Sequence, residues 1–147
     1  MQSMRTFKAA FAYFLAVFAV GFVSGMIRVP FLVPRLGARL SEILELPVML
    51  VASFFLARFV LRRFGPFSAP RRLAIGVVAL VLLVATELAV VLIVLGQSLP
   101  QYVAGRDPVS GIAYLLSLVA FAFMPILAGR GQGPDNSFKP KPLRGAA

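Results

Sequence analysis

The sequence contains no cysteine and no histidine, and only 5 of its 147 residues are acidic. Without thiols or imidazoles, the chain cannot form disulfides, use a cysteine nucleophile or a histidine base, or build the common zinc and haem sites. The few carboxylates stand without a nucleophile or a phosphate-binding loop beside them. These absences exclude most enzyme classes, and we expect no metal and no cofactor.

Hydrophobic residues are abundant: they make up 60% of the chain, and the mean hydropathy is +0.92. The longest apolar run extends from Leu73 to Gly96, and its only ionisable side chain is Glu87. About 20 helical residues cross a hydrocarbon core of roughly 30 Å. The sequence therefore predicts a membrane protein whose first partner is the lipid bilayer.

Four apolar runs predict an all-α integral membrane protein, a four-transmembrane-helix bundle within residues 1–128. The expected spans are approximately residues 9–27, 43–61, 73–96 and 112–128. Residues 129–147 are rich in Gly, Pro and basic side chains, which predicts a disordered basic cytoplasmic tail. The polar stretch from Gln97 to Gly111 is interpreted as a short loop in which Asp107 caps the following helix.

The first apolar run admits a second interpretation, because Arg5 and Lys8 precede it as in a secretory signal peptide. Its nineteen-residue length, and the lack of a small-residue cleavage site before a polar mature start, favour an uncleaved first span. One face of this span carries small residues, which let helix backbones approach closely. They are Ala12, Ala16, Gly21 and Gly25, and internal packing is favoured over a homodimer interface.

The segment between the first two spans combines prolines with an amphipathic pattern. Pro30 and Pro34 are expected to break the first helix. Beyond them, charged residues recur on one side at helical spacing, which predicts an amphipathic segment at the membrane interface. The charged residues are Arg35, Arg39, Glu42 and Glu45. Arg39 and Glu42 are spaced to pair, and the segment serves either as a docking surface or simply as an anchor for the turn.

Glu87 is the strongest candidate for a functional residue, because a carboxylate near the middle of a span costs about 2.5–3.5 kcal/mol on insertion scales. Ser53 and Ser117 fall at a similar depth and are candidate hydrogen-bond partners. Arg28 is the nearest plausible cation. Three interpretations stay open: a neutral, hydrogen-bonded Glu that holds helices in register, a Glu paired with a partner subunit's cation, or a proton or cation pathway.

The net charge of +10 is interpreted as a topology signal rather than as nucleic-acid binding, because the basic residues flank the spans. Eleven Lys and Arg residues fall at the amino end, in the 58–72 connection and in the tail, whereas four fall on the opposite side. Cytoplasmic loops collect Lys and Arg. Both termini are therefore expected in the cytoplasm.

Two stretches carry a family resemblance. They are GMIRVPFLVPRLGARLSEILELPVML at Gly25 to Leu50 and DPVSGIAYLL at Asp107 to Leu116. They resemble small four-span inner-membrane proteins of proteobacteria. The resemblance implies a bacterial inner-membrane location and transfers no active site.

Two functions follow as expectations. The first is a non-catalytic multi-pass accessory or subunit protein that binds other membrane components, either other membrane protein subunits or a second copy of itself. The second is a small homo-oligomeric transporter or channel that uses Glu87 as its proton or cation site. A membrane enzyme acting on lipid is a further alternative.

Overall fold

The computed structural model describes residues 1–130, and all regular structure within them is helical. The helices are α1 (Gln2–Ile27), α2 (Val33–Phe64), α3 (Ala69–Ala89), α4 (Leu99–Ala104) and α5 (Pro108–Ala128). Two π-helical turns, Arg28–Leu32 and Val90–Val94, extend α1 and α3. Most of the expected tail, residues 131–147, lies outside the described part of the chain.

Three helical stretches are long and apolar enough to cross a membrane, which confirms an all-helical protein suited to a bilayer. They are Gln2–Phe64, Ala69–Val94 and Pro108–Ala128. The first stretch has 63 residues, and it contains the two segments that the sequence predicts as separate spans.

The expectation that Pro30 and Pro34 end the first helix is wrong. Pro30 lies inside the π-helical turn, and Pro34 lies in the first turn of α2, where a missing backbone N–H removes no helical hydrogen bond. The helical geometry breaks instead at Gly37, where φ is 79° and ψ is 163°. Only glycine adopts this conformation without steric cost, so Gly37 is the residue that lets α2 change direction.

After Gly37, α2 runs back along α1. Arg28, at the end of α1, forms ion pairs with Glu42 and Glu45 of α2. Helices α3 and α5 complete the bundle: α1 contacts α2 and α3, and α5 contacts α2 and α3. The four apolar helical segments therefore form a ring in which α1 and α5 are diagonal partners.

The two ends of this bundle carry different side chains. We call one the basic end; it contains eight basic residues and, within residues 1–130, no acidic residue. These are Arg5, Lys8, Arg58, Arg62, Arg63, Arg71, Arg72 and Arg130. We call the other the acidic end; it contains the four described carboxylates and four arginines. These are Glu42, Glu45, Glu87, Asp107, Arg28, Arg35, Arg39 and Arg106.

The buried core fills the half of the bundle nearest the basic end. Its members come from all four long segments and include Ala9, Ala10, Ala57, Leu61, Ile75, Ala79 and Ala128. Helices α3 and α5 approach so closely that a Cβ on Gly76 would lie 1.9 Å from the carbonyl oxygen of Ala122. Arg72 of α3 also donates a hydrogen bond to the carbonyl of Gly129 after α5.

The stretch between Gln97 and Gly111 is more ordered than the short loop expected from sequence, because it contains α4. Ser98 and Gln101 form a reciprocal capping box at the start of this helix, which the sequence interpretation missed. The cap expected at Asp107 is confirmed: its Oδ2 accepts from the backbone N–H groups of Val109 at 3.1 Å and Ser110 at 3.0 Å.

Candidate functional site

Glu87 lies in the last turn of α3, and three side chains of the following segment surround its carboxylate. Its Oε1 accepts hydrogen bonds from the hydroxyl of Tyr102 at 2.6 Å and from Nη2 of Arg106 at 3.4 Å. Its Oε2 accepts from the hydroxyl of Tyr114. Both carboxylate oxygens are thus satisfied within the chain, by residues of α4, α5 and their connection.

The two tyrosines also contact the guanidinium group of Arg106 with their rings. The Arg106 Cζ lies 4.3 Å from the ring centroid of Tyr114 and 4.9 Å from that of Tyr102. Both distances are within the range for cation–π attraction. Partial burial, followed by the hydrogen bond to Glu87, raises the pKa of Tyr102 to about 12.

This cluster depends on the compact turn between α3 and α5. The capping box of α4 fixes the first turn of that helix and places Tyr102 beside Glu87. Arg106 follows α4 directly in the short connection to α5, and both Arg106 and Glu87 have side chains that are 29% exposed. A buried or half-buried charge needs a partner close by. For Glu87 that partner is Arg106, which lies 19 residues later in the chain.

A second ion-pair cluster joins α1 to α2. Arg28 Nε lies 2.9 Å from Oε2 of Glu45, and Arg28 Nη1 lies 3.4 Å from Oε1 of Glu42. One guanidinium group is therefore shared by two carboxylates. Arg28 was a candidate cation for Glu87 on the basis of the sequence. In the structure its side chain pairs with Glu42 and Glu45 instead, which are the nearer acceptors.

A third ion pair joins α2 to the start of α5. Arg39 donates to Oδ1 of Asp107 from both Nε, at 3.0 Å, and Nη2. The expected pair between Arg39 and Glu42 is therefore wrong, because Asp107 binds Arg39 and Arg28 binds Glu42. The Arg39 guanidinium and the backbone N–H of Ser110 hold the pKa of Asp107 below its usual range. Arg35 is exposed on the same segment.

The two serines proposed as partners of Glu87 are not bonded to it. Ser117 donates to the backbone carbonyl of Tyr114 at 2.6 Å, which is the usual local bond of a serine inside a helix. Ser53 is buried. Both serines nevertheless line the same cavity as Glu87.

That cavity lies between the four long helical segments and has a volume of about 780 Å³. Its rim contains five charged residues: Arg28, Glu42, Glu45, Glu87 and Arg106. Its walls are apolar and include Phe18, Phe22, Met49, Leu83 and Leu118. At the far end, the rings of Tyr13 and Phe121 stack at 4.7 Å across the diagonal of the bundle, and Tyr13 donates to the carbonyl of Phe121 at 3.3 Å. The cavity therefore opens toward the acidic end and stops at the packed half.

The small residues predicted on α1 have different environments. Ala12 packs against the buried core, and Ala16 is half-buried. A Cβ on Gly21 would lie 3.3 Å from the Cε atom of Met49, whereas a Cβ on Gly25 would meet no atom within 4 Å. Gly21 and Gly25 both line the cavity. The small face of α1 therefore packs against the core at Ala12 and leaves the space of the cavity open at Gly21 and Gly25.

Sequence reasoning missed Tyr102, Arg106 and Tyr114 as partners of Glu87. One signal was available: Arg106 is the only basic residue between Glu87 and Arg130. The interpretation of residues 97–111 as a loop hid this pairing. An irregular loop does not predict that Tyr102 and Arg106 lie beside the end of α3.

Comparison with known proteins adds no assignment: no protein-family model, no curated protein and no solved structure matches this chain. Among the described residues, no group of three acidic, histidine or cysteine side chains is placed to hold a metal ion. The arrangement at the acidic end is therefore best described by its own chemistry, which is a set of ion pairs around the mouth of an apolar cavity.

Proposed function

We propose that this chain is a non-catalytic multi-pass accessory or subunit protein of a bacterial inner membrane that binds other membrane components. The observation that carries the proposal is the cavity, which combines apolar walls with a charged rim. Ligand sites have this composition and volumes of roughly 300–1,000 Å³. The bacterial inner-membrane location is supported by the sequence resemblance alone.

The proposal includes four membrane spans. The long first stretch turns at Gly37, and the part of α2 after this turn packs along α1. Together with α3 and α5, this arrangement gives four apolar segments that run alternately between the basic and the acidic end. The exposed apolar side chains of the segment before and after the turn, Leu36, Leu40 and Leu44, support its placement at the membrane interface.

The distribution of charge supports a cytoplasmic location for the basic end and therefore for both termini. Because the chain has no cysteine, single cysteines at the exposed positions Ser68 and Gln97 can be labelled separately. We expect an impermeant thiol reagent added outside cells to label Gln97→Cys and to leave Ser68→Cys unlabelled. Equal labelling of the two variants would exclude the topology.

The accessory function is tested by the mass and composition of the particle extracted in a mild detergent at native expression level. We expect other membrane proteins to accompany the chain in a fixed ratio. A particle that contains only copies of this chain, together with proton or cation flux in liposomes, would contradict the proposal and favour the transporter.

The homo-oligomeric transporter or channel remains the alternative, and the presence of ionisable groups inside a cavity is the observation that favours it. Its weakness is that the cavity ends at Tyr13 and Phe121, below which the helices are tightly packed. Glu87→Gln separates the two functions. A transport role requires normal abundance with loss of pH-coupled flux, whereas an accessory role entails altered assembly or abundance.

A further inference from the structure

The charges at the rim of the cavity are not balanced. Three carboxylates and two guanidinium groups line it, which leaves a formal charge of −1. Glu87 and Arg106 form a one-to-one pair, so the excess lies in the other cluster, where Arg28 is shared between Glu42 and Glu45. One of the two carboxylates that share Arg28 therefore has no cation of its own at the rim.

Glu42 is the carboxylate best placed to bind a further cation. It lies 3.4 Å from Arg28, whereas Glu45 lies 2.9 Å away, so Glu42 is the less tightly engaged of the two. Its side chain is 36% exposed, compared with 17% for Glu45. An ionised carboxylate accepts several hydrogen bonds, and Glu42 is accessible to a donor that enters from the acidic end.

Below the rim, the cavity has the length and lining that suit a hydrocarbon chain. Glu42 at the rim and Ser53 near the floor are eleven residues apart on α2, which corresponds to about 16 Å along a helix. This is close to half of the roughly 30 Å hydrocarbon core of a bilayer. The walls between them are formed by apolar side chains such as Phe18, Phe22 and Leu118.

We propose that the cavity binds a zwitterionic aminophospholipid, with its primary ammonium group at Glu42 and one acyl chain between the helices. The ammonium group gives Glu42 a positive partner of its own, and the neighbouring guanidinium groups of Arg28 and Arg106 attract the lipid phosphate. The lipid as a whole is neutral, so its binding leaves the formal charge of the rim unchanged. A quaternary ammonium head has no N–H to donate to Glu42, and an anionic head adds to the negative charge of the rim. The inference rests on the proposed function, in which the chain binds membrane components, and it names the chemistry of one of them.

The test measures lipid retention by native mass spectrometry of the full-length chain. The protein is exchanged into micelles that contain equal amounts of phosphatidylethanolamine, phosphatidylcholine and phosphatidylglycerol with identical acyl chains. We expect phosphatidylethanolamine to be retained about tenfold more than either of the others, the size expected for a hydrogen bond to a charged group. Preferential retention of phosphatidylglycerol or phosphatidylcholine, or equal retention of all three, would overturn the inference.

Two variants and one control assign the binding to the cavity. Glu42→Gln keeps the shape of the side chain and removes its charge, and we expect the preference for the primary amine to fall to about twofold or less. Gly25→Leu places a side chain into open space within the cavity and should reduce retention of the preferred lipid by about tenfold. Ala19→Leu makes a similar change at an exposed position on the same helix and should leave retention unchanged.

Helical content and the midpoint of thermal unfolding are recorded for every variant, so that a loss of lipid is read only from folded protein. A preference for phosphatidylethanolamine that survives both Glu42→Gln and Gly25→Leu would place the lipid outside the cavity and contradict the inference. The result of this lipid test does not depend on which other proteins are present in the particle extracted in mild detergent. Partner subunits without a lipid preference refute only the lipid site, whereas bound aminophospholipid together with Glu87-dependent flux refutes the accessory function.

Discussion

The two halves of the bundle hold their helices together in different ways. Toward the basic end, small side chains allow close contact, as between Gly76 and Ala122, and the interior is filled. Toward the acidic end, the helices are joined by ion pairs around a cavity of about 780 Å³. Helices in lipid gain little from hydrophobic burial and associate through packing and polar bonds. In this chain, close packing predominates in the basic half and ion pairs predominate in the acidic half.

The comparison indicates how a cavity is maintained in a small membrane bundle. Each described carboxylate pairs with an arginine from a different helical segment, so the ion pairs connect α1 to α2, α2 to α5, and α3 to the segment before α5. These long side chains span gaps that alanine and glycine cannot. The ion pairs of the rim therefore keep the helices apart from one another. Close packing in the other half determines which helices are neighbours.

The largest effect is expected from a methyl group added where the helices are closest. Gly76→Ala should destabilise the fold by about 1–3 kcal/mol, because the new Cβ would overlap the backbone of Ala122. Gly25→Ala, in the open half, is the matched control; it meets no neighbouring atom and should be neutral or stabilising by up to about 1 kcal/mol. The free energy of unfolding is measured by titration with sodium dodecyl sulfate in mixed micelles. Equal effects of the two substitutions would remove the difference in packing on which the comparison depends.

Separating the Glu87 ion pair should produce the next largest effect. Arg106→Gln leaves Glu87 without its cation and is expected to cost about 1–2 kcal/mol, at the lower end of the range for a charged hydrogen bond because both side chains are 29% exposed. The double variant with Glu87→Gln should be more stable than the sum of the two single variants implies, because two neutral amides can pair. Strict additivity in this double-mutant cycle would show that the two side chains are not coupled.

Asp107 should contribute more to stability than its partner Arg39. Asp107→Ala removes both the cap of α5 and the ion pair and is expected to give the larger loss of stability. Arg39→Ala removes only the ion pair of a side chain that is 57% exposed, so a smaller loss of stability is expected. The same unfolding titration ranks the two variants, and a larger loss for Arg39→Ala would contradict the assignment of the cap.

The smallest expected effect is a pH dependence at the acidic end. Because the pKa of Tyr102 is raised from 10.0 to about 12, the folded state holds the phenol proton more tightly than the unfolded state does. The corresponding stability is complete below about pH 10 and declines as the pH rises to about 12. The decline in unfolding free energy over this range should be shallower for Tyr102→Phe than for the unsubstituted chain. Identical slopes would show that the fold does not raise the pKa of Tyr102.

The apolar runs were sufficient to predict membrane-spanning helices, because hydrophobicity and length are properties of each segment alone. The break at Gly37 was missed in favour of Pro30 and Pro34, since a π-helical turn accommodates the first proline and a helix start accommodates the second. Sequence spacing also suggested the pair of Arg39 with Glu42. The actual partner, Asp107, is 68 residues away, and only the packing of α2 against α5 brings it close.

Glu87 was identifiable as an unusual residue from its apolar surroundings, but its partners were not. The depth estimate pointed to Ser53 and Ser117, which do line the same cavity. It could not reveal α4, whose capping box returns Tyr102 and Arg106 to the end of α3. Side-chain direction and local backbone geometry decide such contacts, and neither follows from depth along a helix.

The central claim, an open acidic half above a closed basic half, is tested most directly by thiol accessibility of the delipidated protein in detergent. Single cysteines are introduced at Gly25, which lines the cavity, and at Ala79, which is fully buried in the core. A small water-soluble thiol reagent should modify Gly25→Cys readily and leave Ala79→Cys unmodified until the protein is unfolded. Protection of Gly25→Cys, or equal reaction at both positions, would contradict the account.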